Sequence, residues 1–353
     1  MGKPRQNWTA APWNDDELLE CAMVIPETTD TATIAFRAPS GAWFDYQPGQ
    51  FLTLELPVPG GTVSRTYTIS SSPSRPLSIS ITVKAQAGSI GTRLMLDHLK
   101  PGMKVKAFGP AGQFTFHRHP AKKYLFISAG SGITPMMSMT TWAWDSGEMP
   151  DIAFVHAARK PADIIFRRRL EQFAARVPGL QLRFTVEEVD PFEVWSGFRG
   201  RLSQIMLGLM APDYLDREVM CCGPEPFMRS VREMLASLGY DMARYHEESF
   251  AAPALTEIPV ETVAPVAASE ITFTASGKTI SCDGTETVLA IARRAGLNIP
   301  SSCNFGLCGT CKVQKTAGEV SMVHNGGISD DEIAGGMILA CCSKPQGAVE
   351  IAI

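Results

Sequence analysis

Four cysteines near the C-terminus constrain this chain more than any other feature. Cys303, Cys308 and Cys311 follow a C-x4-C-x2-C spacing, and Cys341 comes after 29 further residues. Three thiolates on one short loop and a fourth from a distant strand can surround a flat [2Fe–2S] cluster, and this is a spacing that such clusters use. Gly306 and Gly309 lie among these ligands. Without Cβ atoms they let the backbone curl over the cluster and aim N–H groups at its sulfurs. A zinc knuckle would also use Cys308-x2-Cys311, but zinc sites pair two short spacings and no second one lies nearby.

The remainder must hold other domains, because 353 residues exceed one ordinary core. A composition of 45% hydrophobic and 19% charged residues belongs to a globular protein. With a net charge of −4 and a pI near 5.9 there is no basic field to hold nucleic acid. No apolar run approaches the roughly 18 residues of a membrane span, and Met1–Trp8 lacks a signal core, so the expected partners exclude membrane and the expected compartment is the cytoplasm. Gln6 stands where N-myristoylation needs Ser or Thr. The run Arg167–Arg169 reads as the solvated face of a helix. Cys21, Cys282 and one member of each adjacent pair, Cys221-Cys222 and Cys341-Cys342, read as small buried hydrophobes in a reducing compartment. His98, His117, His119, His156, His246 and His324 form no i, i+4 pair and read as surface or interdomain residues, and the 16 methionines as core filler.

Texture changes along the chain suggest boundaries. Residues 18 to 116 show short strands broken by Gly, Pro and Ser, with one helix over Gly91–Leu99, as in an antiparallel barrel. From about 120, strands alternate with helices, the rhythm of βαβ units and a parallel sheet. Residues 251 to 269 hold three prolines and no Gly, Lys or Arg, which favours an extended tether. A hairpin over Ile271–Ala275 and Thr279–Cys282, a helix over Glu286–Ala295, the cysteine loop and strands at Met337–Ala340 and Val349–Ile353 complete a small core. The expected domains are 1–118, 119–250 and 270–353, with 251–269 between the last two.

A cluster takes one electron at a time and needs a source. Tyr124–Pro135 is a hydrophobic strand followed by Gly130-x-Gly132 and a helix start, a shape suited to a pyrophosphate although not the Gly-x-Gly-x-x-Gly form. Arg65-Thr-Tyr67-Thr68 offers a guanidinium for phosphate and an aromatic for a flat ring, Arg65 and Tyr67 sharing one strand face. Cys222-Gly223-Pro224 ends a strand and opens a helix, with a thiol that turn chemistry does not require.

In this order the motifs closely resemble the flavin-dependent ferredoxin-reductase-like oxidoreductases that carry a C-terminal plant-type ferredoxin domain. The likeness runs from about residue 15 onward. It implies an antiparallel β-barrel flavin domain, an α/β parallel-sheet nicotinamide domain and a β-grasp (α+β) ferredoxin domain. It also implies Arg65, Tyr67 and Thr68 at flavin phosphate, ring and N5, and Val83, Lys84, Gly88, Gly91 and Thr92 around the flavin pyrophosphate. Gly130, Gly132, Thr134 and Pro135 fall at the dinucleotide phosphates, and Cys222, Gly223 and Pro224 beside the nicotinamide. Glu248 and Phe250 match the acidic-x-aromatic end of the reductase module, where the ring covers the flavin. Thr68, Cys222, Glu248 and Phe250 are thus the candidate catalytic residues, with Cys303, Cys308, Cys311 and Cys341 as metal ligands. The implied cofactors are [2Fe–2S], FAD rather than FMN, and NADH rather than NADPH, with Arg159 at the adenosine end. The pattern is similar to reductase components of Rieske-type oxygenases that demethylate quaternary amines and to the NADH reductase of hybrid-cluster protein. A terminal oxygenase or another redox protein is the implied partner. Rival readings are a stand-alone oxidoreductase and a non-enzymatic iron–sulfur redox sensor.

Overall fold

The computed structural model describes residues 10–58, 61–86, 89–147, 149–250, 269–301, 306, 309–324 and 327–353. Met1–Trp8, most of the expected tether, Gly88, Cys303 and Cys308 lie outside the described residues. Two compact units emerge, one comprising most of the chain up to Phe250 and one holding Ser269–Ile353.

The larger unit opens with β1 (Leu19–Thr28), β2 (Thr31–Arg37), β3 (Phe51–Val58), β4 (Gly61–Thr68), β5 (Ile79–Lys84), α1 (Ile90–His98) and β6 (Lys104–Ala111). They form a six-stranded sheet, in the order β4-β3-β6-β1-β2-β5. The pairings of β1 with β2 and β6, and of β2 with β5, are antiparallel. Alternation along β2 and β5 buries Ile34 against Ile81 and Phe36 against Ile79. The helix begins one residue earlier than expected because Ser89 caps it, its hydroxyl accepting from the Thr92 N–H.

Next come β7 (Lys123–Ala129), α2 (Ile133–Ser146), β8 (Asp151–Ala158), α3 (Arg167–Arg176), β9 (Leu180–Val186), β10 (Phe198–Arg199), α4 (Gln204–Met210), β11 (Glu218–Cys222), α5 (Glu225–Ser237) and β12 (Tyr245–Glu248). This sheet is parallel throughout, in the order β10-β9-β8-β7-β11-β12. Chain direction across the sheet reverses between β7 and β11, where ligands of such sheets bind beyond the carboxyl ends. Both faces are covered, one burying Phe126, Phe154 and Met220 with α2, the other Ile127, Val155 and Val219 with α4 and α5. Arg217 is fully buried and satisfied by Asp213 at 2.7 Å and Asp151 at 2.9 Å. That pair holds the Asp213 carboxyl down at about 2, chiefly through its hydrogen bond from Arg217.

One local expectation changes here. The helix carrying the arginine run begins only at Arg167, because Phe166 takes a left-handed φ of 58° and breaks the path from the preceding turn. Arg167–Arg169 is not simply a wet face. Arg169 is half-buried, and burial lowers its pKa while Glu27 and Asp145 oppose that shift.

The smaller unit contains β13 (Ser269–Phe273), β14 (Lys278–Cys282), α6 (Val288–Arg294), β15 (Lys312–Met322), α7 (Asp330–Ala334), β16 (Met337–Leu339) and β17 (Ser343–Ile351). The strand order is β14-β13-β17-β15-β16, with β13 and β17 parallel and α6 buried by Val288, Leu289, Ile291 and Ala292. This mixed sheet with a helix across it is the expected β-grasp arrangement. The longest strand, β15, was not expected from sequence, because its register shifts around Ala317 and most of its length is not buried, so no apolar alternation marks it.

Candidate active site

In the larger unit the carboxyl ends of the parallel strands carry a continuous row of side chains. Strand register places Phe184, His156, Ser128, Cys222 and Glu248 side by side across β9, β8, β7, β11 and β12. At one end of the row, Thr68, the last residue of β4, donates from its hydroxyl to Glu248 Oε2 at 3.2 Å. Thr68, Cys222 and Glu248, expected from sequence to act together, are therefore brought together. The antiparallel sheet and the parallel sheet are tied nearby by Ser138 Oγ donating to Ser71 O at 2.6 Å and by Arg75 bridging Asp145 at 2.7 Å.

Burial sets the protonation of this row. Glu248 is fully enclosed, and desolvation pushes its carboxyl up to about 8, the Thr68 hydrogen bond pulling the other way. Desolvation, reinforced by Glu248, raises the Cys222 thiol well above its ordinary value, so it is a neutral small group rather than a thiolate nucleophile. His156, which the sequence places among surface or interdomain residues, is completely buried. Desolvation holds it neutral with a pKa near 3, Nδ1 lies 2.9 Å from Ser128 Oγ, and Nε2 has no hydrogen-bond partner. The nearly continuous apolar run of β8, buried on both faces, hides this histidine from sequence reasoning, because no periodicity separates it from core positions.

Beside the row lies the glycine turn. A Cβ on Gly132 would fall 2.2 Å from Cys222 O and 2.6 Å from Gly223 N, so these two loops touch backbone to backbone. Gly130 has a left-handed φ of 54° and would meet nothing within 4 Å, an open approach. Helix α2 continues directly from a 3-10 turn over Gly130–Gly132 that has no side-chain cap; the Ile133 N–H is taken by Gly130 O and Ser131 O, so the backbone N–H groups of the turn itself suit an anion, as a dinucleotide pyrophosphate requires. Thr134 donates to Ser131 O at 2.9 Å, and Pro135 is buried in the first turn. Pro224 caps α5. Arg159 is exposed past the end of β8.

The other expected flavin residues are more scattered in role. Arg65 is exposed on β4, with Nη1 donating to Ser64 O, and Tyr67 is half-buried. Val83 is core. The Lys84 ammonium is held by both Asp30 oxygens at 2.7 Å, and the Thr92 hydroxyl donates to Ser89 O, so neither is an uncommitted donor; Gly91 is buried in the first turn of α1. Phe250 is 44% exposed. A guanidinium, a half-buried aromatic and a hydroxyl on one strand are the donor set a flavin phosphate and ring need.

In the smaller unit the side chains of Cys311 and Cys341 are buried, and the Cys341 N–H points at Cys311 Sγ from 3.4 Å. Gly306 and Gly309 both have left-handed φ, and a Cβ on either would come within 3 Å of neighbouring atoms, including Cys342 Sγ and Gly327 O. A thiol receiving a backbone N–H, with positions 306 and 309 that admit only glycine, fits a cluster carrying negative charge.

Fold and site together define a flavin- and nicotinamide-dependent oxidoreductase with an iron–sulfur domain. Residues 23–116 match the family model of an oxidoreductase FAD-binding domain, 126–233 that of an oxidoreductase NAD-binding domain and 271–346 that of a 2Fe-2S iron-sulfur cluster binding domain. The chain is 59% identical to the stachydrine N-demethylase reductase subunit of Rhizobium meliloti over 96% of its own length and 97% of that protein. It is 47% identical to the glycine betaine monooxygenase reductase subunit of Pseudomonas aeruginosa, over 97% of each chain. Among solved structures, phthalate dioxygenase reductase superposes with a TM-score of 0.60 at 23% identity, over 97% of this chain and 100% of that one. An intact type IV self-sufficient cytochrome P450 monooxygenase gives 0.68 at 22% identity, over 99% of this chain but only 43% of that longer one. The chain belongs to the family of FAD-, NAD- and [2Fe–2S]-domain oxidoreductases that includes these reductase subunits. The expected resemblance, fold class and cofactor domains are borne out, FAD included. Among the described residues no helix is long and apolar enough to cross a membrane.

Proposed function

We propose that this protein is the NADH-dependent reductase component of a Rieske-type oxygenase that demethylates a quaternary amine, working in the cytoplasm. The Thr68–Glu248–Cys222 constellation carries the reading, because it joins the flavin sheet to the carboxyl edge of the nicotinamide sheet with neutral, enclosed groups. Hydride transfer needs that enclosure, since water competes for a hydride and an anion would repel the arriving electron pair. When bound, FAD would take the hydride of NADH as an electron pair and release electrons singly, and the cluster would carry them one at a time to the partner.

The protein's own residues place and insulate. Gly130, Gly132, Thr134 and the start of α2 would hold the dinucleotide phosphates, with Arg159 at the adenosine end. Cys222, Gly223 and Pro224 would shape the nicotinamide pocket. Arg65, Tyr67 and Thr68 would hold the flavin, helped by Gly88, Gly91 and Thr92 near its pyrophosphate, with Phe250 over the ring. Cys303, Cys308, Cys311 and Cys341 would ligate the cluster. The roles would fall to stretches 1–118, 119–250 and 270–353, joined by 251–269. The names of the two relatives, demethylase and monooxygenase reductase subunits, support a quaternary-amine oxygenase as acceptor.

Anaerobic NADH should bleach both the flavin and the cluster bands of the purified holoprotein. Product should form from a betaine substrate only when an oxygenase is added. A cluster band left unchanged by NADH would refute the proposal and favour a redox-sensing role.

A further inference from the structure

Three metal-ligating side chains from distant parts of the chain meet outside the redox site. His119 lies in the turn after β6, Glu218 opens β11, and His246 sits in β12. One ligand atom from each lies within 4.8 Å of the other two. His246 Nε2 is 2.6 Å from Glu218 Oε1, and the His119 and His246 rings are stacked with centroids 3.4 Å apart and planes 17° apart. His246 and Glu218 side chains are each 17% exposed, so an ion can reach them from solvent.

From this geometry we infer that His119, Glu218 and His246 form a binding site for one zinc ion, with a fourth position left to water. Tetrahedral zinc with bonds of about 2.0–2.1 Å holds its ligand atoms roughly 3.3 Å apart, a spacing between the closest contact here and the outer limit of the cluster. Filling the site lengthens the His246–Glu218 contact and turns the two rings about their Cβ–Cγ bonds, out of the stack and toward the ion. Both imidazoles must offer lone pairs. Arg244 approaches the other Glu218 oxygen, Oε2, at 3.4 Å, which leaves Oε1 for the ion. His119 is already anchored, its N–H donating to Phe116 O at 3.1 Å and its carbonyl accepting from Tyr124 OH at 2.8 Å.

The position gives the ion a role. β12 is the edge strand of the parallel sheet, paired on one side to β11. Glu218, Met220 and Cys222 alternate onto one face of β11, and His246 and Glu248 onto the same face of β12. His246 is therefore about 6.6 Å of strand rise from Glu248. Zinc would pin this edge strand and the turn leaving the flavin sheet, steadying the end that carries Glu248.

Holoprotein with intact flavin and cluster bands, treated with chelator and desalted, should bind about one equivalent of Zn2+ in calorimetry. X-ray absorption at the zinc edge should show nitrogen and oxygen ligands with imidazole scattering. His246→Gln should weaken binding at least tenfold, and so should His119→Phe, which keeps an aromatic ring on His246 but removes the ligand nitrogen. Unchanged absorption bands and NADH oxidation would verify that each variant is folded. Affinity unaltered in both folded variants, no stoichiometric binding, or zinc held only by sulfur would overturn the assignment.

Discussion

Glu248 is the residue whose environment most constrains the chemistry. Its folded pKa is raised from 4.5 to about 8, so the native state keeps a proton there that the unfolded chain has already lost at neutral pH. The stability linked to that proton is fully present below about pH 4.5 and is lost as pH rises through 8, by about 1.4 kcal/mol for each pH unit crossed between those limits. The same deprotonation would put a negative charge where a hydride arrives. NADH-dependent reduction of ferricyanide should therefore fall as pH rises through about 8, and in Glu248→Gln that alkaline limb should vanish. If the carboxyl only has to be neutral, the glutamine variant keeps its pH 7 rate within about tenfold; if it moved a proton in the slow step, the loss would be about a hundredfold or more. Arg159 poses a different question, since it is exposed and its side chain alone could read a 2′-phosphate. Arg159→Ala should raise the KM for NADH by no more than about threefold, as expected for a screened surface cation. A loss confined to NADPH and exceeding tenfold would reassign the nucleotide.

Elements were legible where periodicity or turn chemistry was strong. β2 carries Ala32, Ile34 and Phe36 in alternation and β11 a short continuous apolar run, each bounded by turn residues. β15 was invisible because a β-bulge and a solvated face erase its period, and β12 because it holds only four residues, Tyr245–Glu248, of mixed polarity. Within the site, the glycine turn and Cys222-Gly223 carried local signals. The Ser128–His156 bond and the His119–His246 stack did not, since their partners are 28 and 127 residues apart and meet only through strand register and folding. Contact between the two glycine-bearing loops is the element-scale property that can be broken cleanly. In Gly132→Ala a methyl would sit 2.2 Å from Cys222 O, so the loops must separate, costing about 1–3 kcal/mol. Gly132 has a right-handed φ of −63°, so its clash acts without backbone strain, whereas Gly147→Ala, at a left-handed φ of 72° in open space, shows what strain alone costs. Thermal unfolding should drop further for Gly132→Ala, and only that variant should lose NADH affinity; equal effects would show that the loops are not coupled.

For the molecule as a whole, the order of electron carriers is what distinguishes a reductase component from a self-contained enzyme. The residues suited to hydride transfer lie in the larger unit and the buried thiols of Cys311 and Cys341 in the smaller one. A hydride acceptor can be assayed separately from a one-electron acceptor, because NADH delivers electrons only as a pair. Cys341→Ser removes a buried thiol in the turn after β16 while leaving the Thr68–Glu248–Cys222 row unchanged. In that variant NADH reduction of a two-electron dye should stay within about twofold of wild type, whereas reduction of cytochrome c or an oxygenase should fall by about tenfold or more. The two losses diverge only if electrons pass the nicotinamide side first and the cluster second. Parallel loss of both activities, in a variant that still shows its flavin spectrum, would mean that the cluster precedes or shapes hydride transfer, and the proposed order would have to be abandoned.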